Sequence, residues 1–235
     1  MAPTDLLIRP ADRSDGKQLA SVHLSARRAA AMPPPAHTDD AVRCWLDGRL
    51  QSTDEIWVAE VGGAVAAYSR MSDTWLDDLY VAPPFAGCGV GSALLEVAKQ
   101  QRPAGFCLWV FEVNIGARRF YGQHGLVELE RTDGSANEEK SPDVRMAWPG
   151  SDPLAFYRTL IDDVDGQLGD LLARRAALTR AVQVHKTVPG RDPDRERAIA
   201  EALAVRAPAL GPERLHRILE AIITESLDAA RHGPG

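Results

Sequence analysis

The spacing of hydrophobic residues changes near residue 150. Before that point, short apolar runs bounded by Gly, Pro and Asp alternate with amphipathic stretches, which predicts a mixture of strands and helices. After it, no proline interrupts residues 154–187, and apolar residues recur at helical spacing. They are Leu160, Ile161, Val164, Leu168, Leu171, Leu172, Leu178 and Val182. This pattern predicts one amphipathic helix of about nine turns.

The first part of the chain is predicted to contain seven strands and four helices. The strands are expected at residues 5–10, 55–61, 64–72, 75–81, 105–113, 126–132 and 143–149. The helices are expected at residues 11–31, 41–51, 92–101 and 114–125. After the long helix, the breaker VPGRDP and the capping residue Asp194 predict a second helix over residues 195–207, and a third helix follows over residues 212–231.

Composition supports two domains of different construction. The chain has five Trp, four Tyr and five Phe, and all of them lie at or before Tyr157. One shared core would rarely be so uneven, so we predict an α+β domain over residues 1–150 and an all-α domain over residues 151–235. Three helices give a thin core for one chain, and the long helix is therefore expected to pack against a second copy.

Charge and cysteine content exclude several classes of function. The formal net charge is −6, so the chain is not a basic nucleic-acid binder. No apolar run reaches the length of a membrane span, and the N-terminal residues do not resemble a signal peptide. The three cysteines, Cys44, Cys88 and Cys107, fit neither a disulfide framework nor a zinc site. We expect a cytoplasmic protein that has no metal site.

A glycine-rich loop is the first candidate functional feature. Gly87, Gly89 and Gly91 lie between a predicted strand and a helix N-terminus. Such a loop lets backbone N–H groups approach an anion, and the helix dipole favours negative charge there. Glycines alone are equally consistent with a plain turn.

The order of elements around this loop resembles the GNAT acetyltransferase family. The resemblance covers residues 5–148 and rests on PPFAGCGVGSALL followed by a buried strand and NIGARRFYGQHGL. It implies that acetyl-CoA is the co-substrate, with its pyrophosphate on the loop amides and its pantetheine arm along the preceding strand. The implied cofactor-binding residues are Leu79, Tyr80, Val81, Gly87, Cys88, Gly89, Val90, Gly91, Ser92 and Asn114.

The same resemblance suggests catalytic roles. Tyr121 lies where many members have a tyrosine that protonates the departing thiolate, and a phenol suits that task. Glu112, Asp77 and Asp78 are alternative candidates for the general base, and the sequence does not choose among them. The family pattern has Gln or Arg at the position of Ala86. This departure suggests weaker cofactor binding or a silent domain.

Cations along the long helix are the second candidate feature. Arginines on a helix usually form a solvated face. Arg175 and Lys186, however, are three turns apart on one face of the helix, with about 16 Å between their Cα atoms. Both lie at the border of the apolar face. Two long side chains could therefore hold one small dianion. Arg158 lies roughly 25 Å before Arg175, so it would have to serve a site in another chain.

This arrangement resembles the all-helical, AroQ-type chorismate mutase family over residues 154–230. The resemblance rests on FYRTLIDDVDGQLGDLLARRAALTRAVQVHK, GRDPDRERAI and LEAIITES. It implies an intertwined homodimer in which Arg158 completes the partner's site and binds a chorismate-like dianion. The remaining implied site residues are Arg175, Lys186, Asp192, Arg195, Glu196 and Ser226. Arg recognises carboxylates in a bidentate fork, and a pericyclic rearrangement needs no nucleophile or metal.

Two departures leave alternatives open. The segment between Lys186 and Asp192 is shorter than is common, and Ala230 stands where the family has Gln or Glu. The first hypothesis is a bifunctional enzyme of aromatic metabolism that combines chorismate mutase with an N-acetyltransferase. The alternatives are an acetyltransferase whose helical domain only dimerises or senses a ligand, a working mutase with a silent GNAT domain, and a mutase for 4-amino-4-deoxychorismate or isochorismate.

Overall fold

The computed structural model describes residues 3–185 and 191–232. The chain forms two compact units, Met1–Tyr157 and Arg158–Gly235. The sequence had suggested a boundary between residues 150 and 151, and the division by contacts falls seven residues later. Each unit has its own core, and the two are described separately below.

The first unit contains seven strands and four helices. The strands are β1 (Leu6–Pro10), β2 (Glu55–Val61), β3 (Ala64–Ser72), β4 (Trp75–Val81), β5 (Phe106–Phe111), β6 (Val127–Thr132) and β7 (Asp143–Trp148). The helices are α1 (Gly16–Ala29), α2 (Asp39–Arg49), α3 (Val90–Gln101) and α4 (Ile115–Gln123). Short 3₁₀ turns precede α1, at Arg13–Asp15, and follow β4, at Pro83–Phe85.

The strands form one sheet in the order β1-β2-β3-β4-β5-β7-β6. Every neighbouring pair is antiparallel except β4 and β5, which are parallel. The register between these two parallel strands contains one pair, Trp75 with Cys107. Their remaining residues, towards the C-terminal end of each strand, are therefore free to line an opening in the sheet.

Alternation along the strands distributes the core over both faces of the sheet. In β2, Ile56 and Val58 pack in a cluster with residues of α1 and α2, whereas Trp57 and Ala59 pack on the other face in a cluster with α3. This is the period-two pattern expected of a strand whose two faces are both covered. A further cluster, around Phe106, joins β5 and β7 to α3 and α4.

The second unit is helical. Its helices are α5 (Pro153–His185), α6 (Pro193–Arg206) and α7 (Gly211–His232). Asp192 caps α6 by accepting a hydrogen bond from the backbone N–H of Arg195 at 3.1 Å. The core between α6 and α7 is small, with Ala200, Leu219 and Ile223 as its buried cluster. The mixed, mostly antiparallel sheet followed by three helices confirms the predicted fold class.

Helix α5 has no buried residue within this single chain, although all 33 of its residues are described. Six of its apolar positions lie, together with Arg175, on one seam at alternating spacings of three and four residues. They are Ile161, Val164, Leu168, Leu171, Leu178 and Val182, each between 46% and 61% exposed. Arg175 occupies the one position of this seam that is not apolar. Among the residues that the structure describes, no helix is long and apolar enough to cross a membrane.

A buried histidine connects α1 to the sheet. His23 is 7% exposed, and its Nδ1 lies 2.7 Å from the hydroxyl oxygen of Tyr68. Its ring also packs against Tyr80, with ring centroids 4.3 Å apart. Burial, together with the positive charges of Arg27 and Arg70, lowers the pKa of His23 to about 4.

This depressed pKa predicts acid sensitivity of the first unit. Below pH 6.5 the unfolded chain protonates this histidine while the folded chain does not, so stability falls as the pH drops from 6.5 towards 4. The contribution is about 3 kcal/mol over that window. All five tryptophans lie in the first unit, so tryptophan fluorescence during urea unfolding reports on it alone.

We expect His23→Gln to flatten the dependence of unfolding free energy on pH between pH 4 and 6.5. The matched control, His37→Gln, replaces an exposed histidine and should keep the wild-type slope. Equal slopes for the wild type and His23→Gln would contradict the assignment.

Candidate functional site

An open cleft of about 980 Å³ lies between the unpaired parts of β4 and β5. Leu79, Tyr80 and Val81 of β4 line one side, and Trp109 and Val110 of β5 line the other. The cleft exists because hydrogen-bonded pairing between the two parallel strands stops at Trp75 and Cys107. Backbone groups of β4 on this side are therefore available to an extended ligand.

The glycine loop forms the head of the cleft. Gly87 and Gly89 have φ values of 75° and 81°, in the left-handed region that favours glycine. Gly89 is the N-cap of α3, so the loop leads directly into the positive end of a helix. A Cβ at Gly91 would lie 3.2 Å from Cγ2 of Val81, so glycine also allows the loop to approach β4 closely.

Most of the predicted cofactor-binding residues line this one cleft. They are Leu79, Tyr80, Val81, Gly87, Gly89, Gly91, Ser92 and Asn114. Two predicted residues lie elsewhere. Val90 is fully buried and packs with Leu94 in the core, because its position in the first turn of α3 faces the sheet. Cys88 packs at the edge of the same cluster and does not line the cleft.

Tyr121 of α4 also lines the cleft and is 8% exposed. Burial raises its pKa well above the usual value for a phenol, so the hydroxyl remains protonated at neutral pH. The side chain of Asn114 accepts a hydrogen bond from the backbone N–H of Ala117 at 3.1 Å and thereby caps α4. The cap fixes the start of the helix that carries Tyr121.

The three candidate bases occupy different environments. Asp77 lines the cleft, and its carboxylate accepts a hydrogen bond from Ser72 at 2.6 Å. Asp78 is buried and paired with Arg70 at 2.5 Å, and it faces a different cavity. Glu112 is paired with Arg131 at 2.8 Å and lines neither space. Of these carboxylates, Asp77 alone reaches the cleft.

Sequence reasoning missed several residues that line the cleft. Nε2 of His124 and the hydroxyl of Ser92 share a hydrogen bond at 2.9 Å, which connects the end of α4 to the first turn of α3. Arg27 of α1 and Glu139 of the β6–β7 connection form an ion pair at 2.5 Å. The position of Arg27 at the end of an amphipathic helix was a signal that could have marked it as a candidate. Its partner Glu139 is 112 residues away, so the sequence could not indicate the ion pair.

In the second unit, two predicted residues meet directly. Nη1 of Arg175 on α5 donates to Oγ of Ser226 on α7 at 2.7 Å and to the carbonyl oxygen of Ile222 at 3.3 Å. Ser226 is 6% exposed, and the guanidinium is half-buried. Since a guanidinium offers five donors, this group has further N–H bonds for a carboxylate.

The start of α6 holds a second group of charged residues. Glu196 accepts hydrogen bonds from Arg191, the shortest at 2.7 Å, and this pairing lowers the pKa of Glu196. Arg191 also lies 3.8 Å from Glu220 and so bridges α6 to α7. Arg191 was not predicted, although its place just before the Asp192 cap was a usable signal. Arg195 is exposed on α6.

One predicted residue, Arg158, lies far from Arg175 within the same chain. Arg158 is exposed near the start of α5, and 17 residues of helix place it roughly 25 Å from Arg175. Lys186 lies outside the described residues. Ala230 is half-buried on α7, one turn after Ser226, and offers no side-chain donor. Within residues 3–185 and 191–232, no cluster of three or more His, Cys, Asp or Glu could hold a metal ion.

Known families match both parts of the chain. Residues 52–128 match the family described as acetyltransferase (GNAT) domain, and residues 157–231 match the family described as chorismate mutase type II. An uncharacterized N-acetyltransferase of Archaeoglobus fulgidus is 28% identical over 148 residues, which is 56% of this chain and 99% of that protein.

Solved structures resemble the first unit in fold. A GCN5-related N-acetyltransferase from Rhodopseudomonas palustris has a TM-score of 0.54 at 18% identity, covering 63% of this chain and 98% of its own. A Salmonella typhimurium protein solved with its cofactor acetyl-CoA has a TM-score of 0.50 at 17% identity, covering 63% and 96%.

The comparisons support an acyltransferase activity for the first unit and an isomerase activity for the second. The sheet opened between β4 and β5 and the long helices α5–α7 agree with these assignments. Residues 52–128 therefore carry the sequence features of a GNAT acetyltransferase domain, and residues 157–231 carry those of a type II chorismate mutase domain.

Proposed function

We propose that the chain is a bifunctional enzyme, an acetyl-CoA-dependent N-acetyltransferase fused to a chorismate mutase that forms prephenate. For the first activity, the observation that carries the proposal is the glycine loop at the head of the β4–β5 cleft. For the second, it is the contact between Arg175 and Ser226. Both activities belong, in this proposal, to the metabolism of aromatic compounds.

Acetyl-CoA would bind with its pyrophosphate on the backbone N–H groups of the loop and with its pantetheine arm along β4. The loop needs no cation for this, because amides and the N-terminus of α3 supply the positive potential. Ala86 is consistent with that arrangement, since the cradle consists of backbone. The bound co-substrate supplies an activated acetyl group as a thioester. Tyr121, held protonated by burial, supplies a proton for the departing thiolate.

The mutase site would form around Arg175 and Ser226. One carboxylate of chorismate replaces part of the hydrogen bonding that now joins these two side chains. The rearrangement is unimolecular, so the protein acts by confining the reactive conformer and by stabilising charge on the ether oxygen. Arg191 lowers the pKa of Glu196, so this carboxylate is ionised and suited to accept a hydrogen bond from the substrate hydroxyl.

A homodimer through α5 is the second part of this proposal. The six apolar seam positions of α5 are about half exposed in one chain, and a seam with spacings of three and four residues favours packing against another helix. Two copies would cover this surface and bring Arg158 of one chain to the site of the other. Because Arg158 is too far along its own helix to reach Arg175, only the partner's copy can serve the site.

The glycine loop yields a matched pair of variants. Gly87 and Gly63 have φ values of 75° and 78°, and neither has an atom within 4 Å of an added Cβ. Gly87→Ala and Gly63→Ala should therefore lose similar stability, roughly 1 to 2 kcal/mol. Only Gly87→Ala should weaken acetyl-CoA binding, by about tenfold or more, because it alters the amides of the cradle. Calorimetric titration with acetyl-CoA measures this, and equal affinities in both variants would contradict the assignment.

The Arg175 site predicts a large loss of mutase activity. Arg175→Ala should reduce kcat/KM for chorismate by about 10² to 10³ or more, because a preorganised cationic donor is removed. Loss of the chorismate absorbance measures the rate. Arg174→Ala removes a neighbouring arginine that is exposed on α5 and should remain within about twofold of the wild type. A wild-type rate in Arg175→Ala would exclude this site.

Cross-subunit completion predicts complementation between two inactive variants. In a mixed dimer of Arg158→Ala and Arg175→Ala chains, one of the two sites contains both native arginines. Random subunit exchange makes half of the dimers mixed, so about a quarter of the wild-type activity should return. Each variant alone and a mixture without exchange are the controls. If activity does not return while sedimentation shows mixed dimers, Arg158 does not act across the interface.

A further inference from the structure

A second cavity, of about 850 Å³, lies beside the acetyl-CoA cleft in the first unit. It is lined by α1, by the segment joining α1 to α2, by α2 and by residues of β4. Five residues line both spaces, namely Arg27, Ala30, Met32, Tyr80 and Glu139. Because the two spaces share this wall, a molecule in the second cavity is placed to meet the reactive end of a molecule in the cleft.

The walls of the second cavity are mainly apolar and partly aromatic. Leu24, Met32, Val42, Trp45 and Tyr80 contribute to them, as do three consecutive prolines at residues 33–35. The rings of Trp45 and Tyr80 both pack near the His23 ring, with centroid distances of 6.2 Å and 4.3 Å. Flat side chains at these positions favour a ligand with a compact apolar body, above all an aromatic ring.

Two nearly buried polar residues face the same cavity. His23 and Asp78 are each 7% exposed. Nδ1 of His23 shares a hydrogen bond of 2.7 Å with the buried hydroxyl of Tyr68. The other ring nitrogen, Nε2, is therefore the one that a ligand in the cavity could contact. Asp78 offers the carboxylate oxygen that Arg70 does not bind.

The charge around the cavity is negative. One guanidinium, that of Arg70, meets three carboxylates, Asp54 at 3.2 Å, Asp77 at 3.3 Å and Asp78 at 2.5 Å. The cavity lining itself contains four carboxylates and two arginines. The arginines pair with Glu139 and Asp39, which leaves Asp78 and Glu138 as the excess of negative charge in the lining. An excess of carboxylates attracts a cation and disfavours an anionic ligand.

We infer that the second cavity binds the acetyl acceptor and that this acceptor is a primary amine carried on a compact aromatic body. The inference rests on the proposed acetyltransferase activity. The ammonium group enters, attracted by the carboxylates, and loses one proton to solvent. The neutral amine then attacks the thioester carbonyl, forming the C–N bond as the C–S bond breaks. The amine's second proton balances the one that the thiolate gains, so amine and acetyl-CoA give amide and CoA.

Other acceptor classes fit the lining less well. A polyamine would place further ammonium groups and their hydrogen-bond donors against Leu24, Val42 and Trp45, whose side chains offer no hydrogen-bond acceptor. A peptide N-terminus would bring backbone amides into the same apolar wall, where their hydrogen bonds would be unsatisfied. An aromatic amine has one charge and one ring, which matches the arrangement of the cavity.

The test measures CoA thiol release by the full-length protein with three probes, namely tyramine, spermidine and a tetrapeptide with a free N-terminal alanine. We expect tyramine to have the highest kcat/KM, about tenfold or more above the others. Trp45→Ala should raise the KM for tyramine about tenfold by removing an aromatic contact. Ala41→Trp, at an exposed position of the cavity lining, should also raise the KM for tyramine, because the larger side chain fills the cavity.

The controls separate binding from folding. Trp57→Ala removes a tryptophan that lines neither space and should leave the KM for tyramine within about twofold. In Trp45→Ala and Ala41→Trp, the KM for acetyl-CoA should also stay within about twofold, which shows that the cleft is intact.

The outcomes distinguish this inference from the proposed function. If acetyl-CoA neither stabilises the protein nor releases thiol with any probe, both are wrong. If acetyl-CoA binds but tyramine is not acetylated, or if spermidine or the peptide is preferred and Trp45→Ala has no effect, only the inference on the acceptor is wrong. Preference for tyramine together with the predicted changes in KM supports it.

Discussion

The single register pair between β4 and β5 is the constraint on which the first unit depends. Parallel neighbours in an otherwise antiparallel sheet share only Trp75 and Cys107, and past that point the sheet is open. The opening leaves backbone groups of β4 without strand partners, a condition that proteins normally avoid unless water or a ligand satisfies them. It also places the loop before α3, the buried face of α4 and the end of α1 around one space.

The second unit depends on a different constraint, namely that its longest helix buries none of its residues within one chain. The buried cluster of α6 and α7 consists of three residues, whereas α5 leaves a whole apolar seam exposed. Such an exposed apolar surface is unfavourable in water, which supports the proposed homodimer. Arg175 interrupts the seam, so its charge is held by Ser226 and by a carbonyl oxygen of α7.

In the proposed function, the two candidate sites hold anions by different means. The loop around Gly87 and Gly89 offers oriented backbone amides, which need no side chain and tolerate Ala86. The helical site uses guanidinium groups, which suit planar carboxylates. This difference follows from the folds, since a strand–loop–helix turn exposes amides, whereas the side of a helix exposes only side chains.

Local sequence signals predict the order and type of the elements, because hydrophobic periodicity and helix breakers act over a few residues. The exact cap was less certain, since Asp192 caps α6 and the predicted Asp194 lies in its first turn. The sequence by itself also determined that the glycines stand between a strand and a helix. The tertiary structure alone decided which distant side chains meet. Arg175 and Ser226 are 51 residues apart, and Arg27 and Glu139 are 112 apart, so no local pattern could pair them. The same holds for Val90, which the packing of α3 directs into the core. It holds also for Asp77 and Asp78, because alternation along β4 puts these adjacent residues on different sides, but only the packing around the strand decides which side borders the cleft.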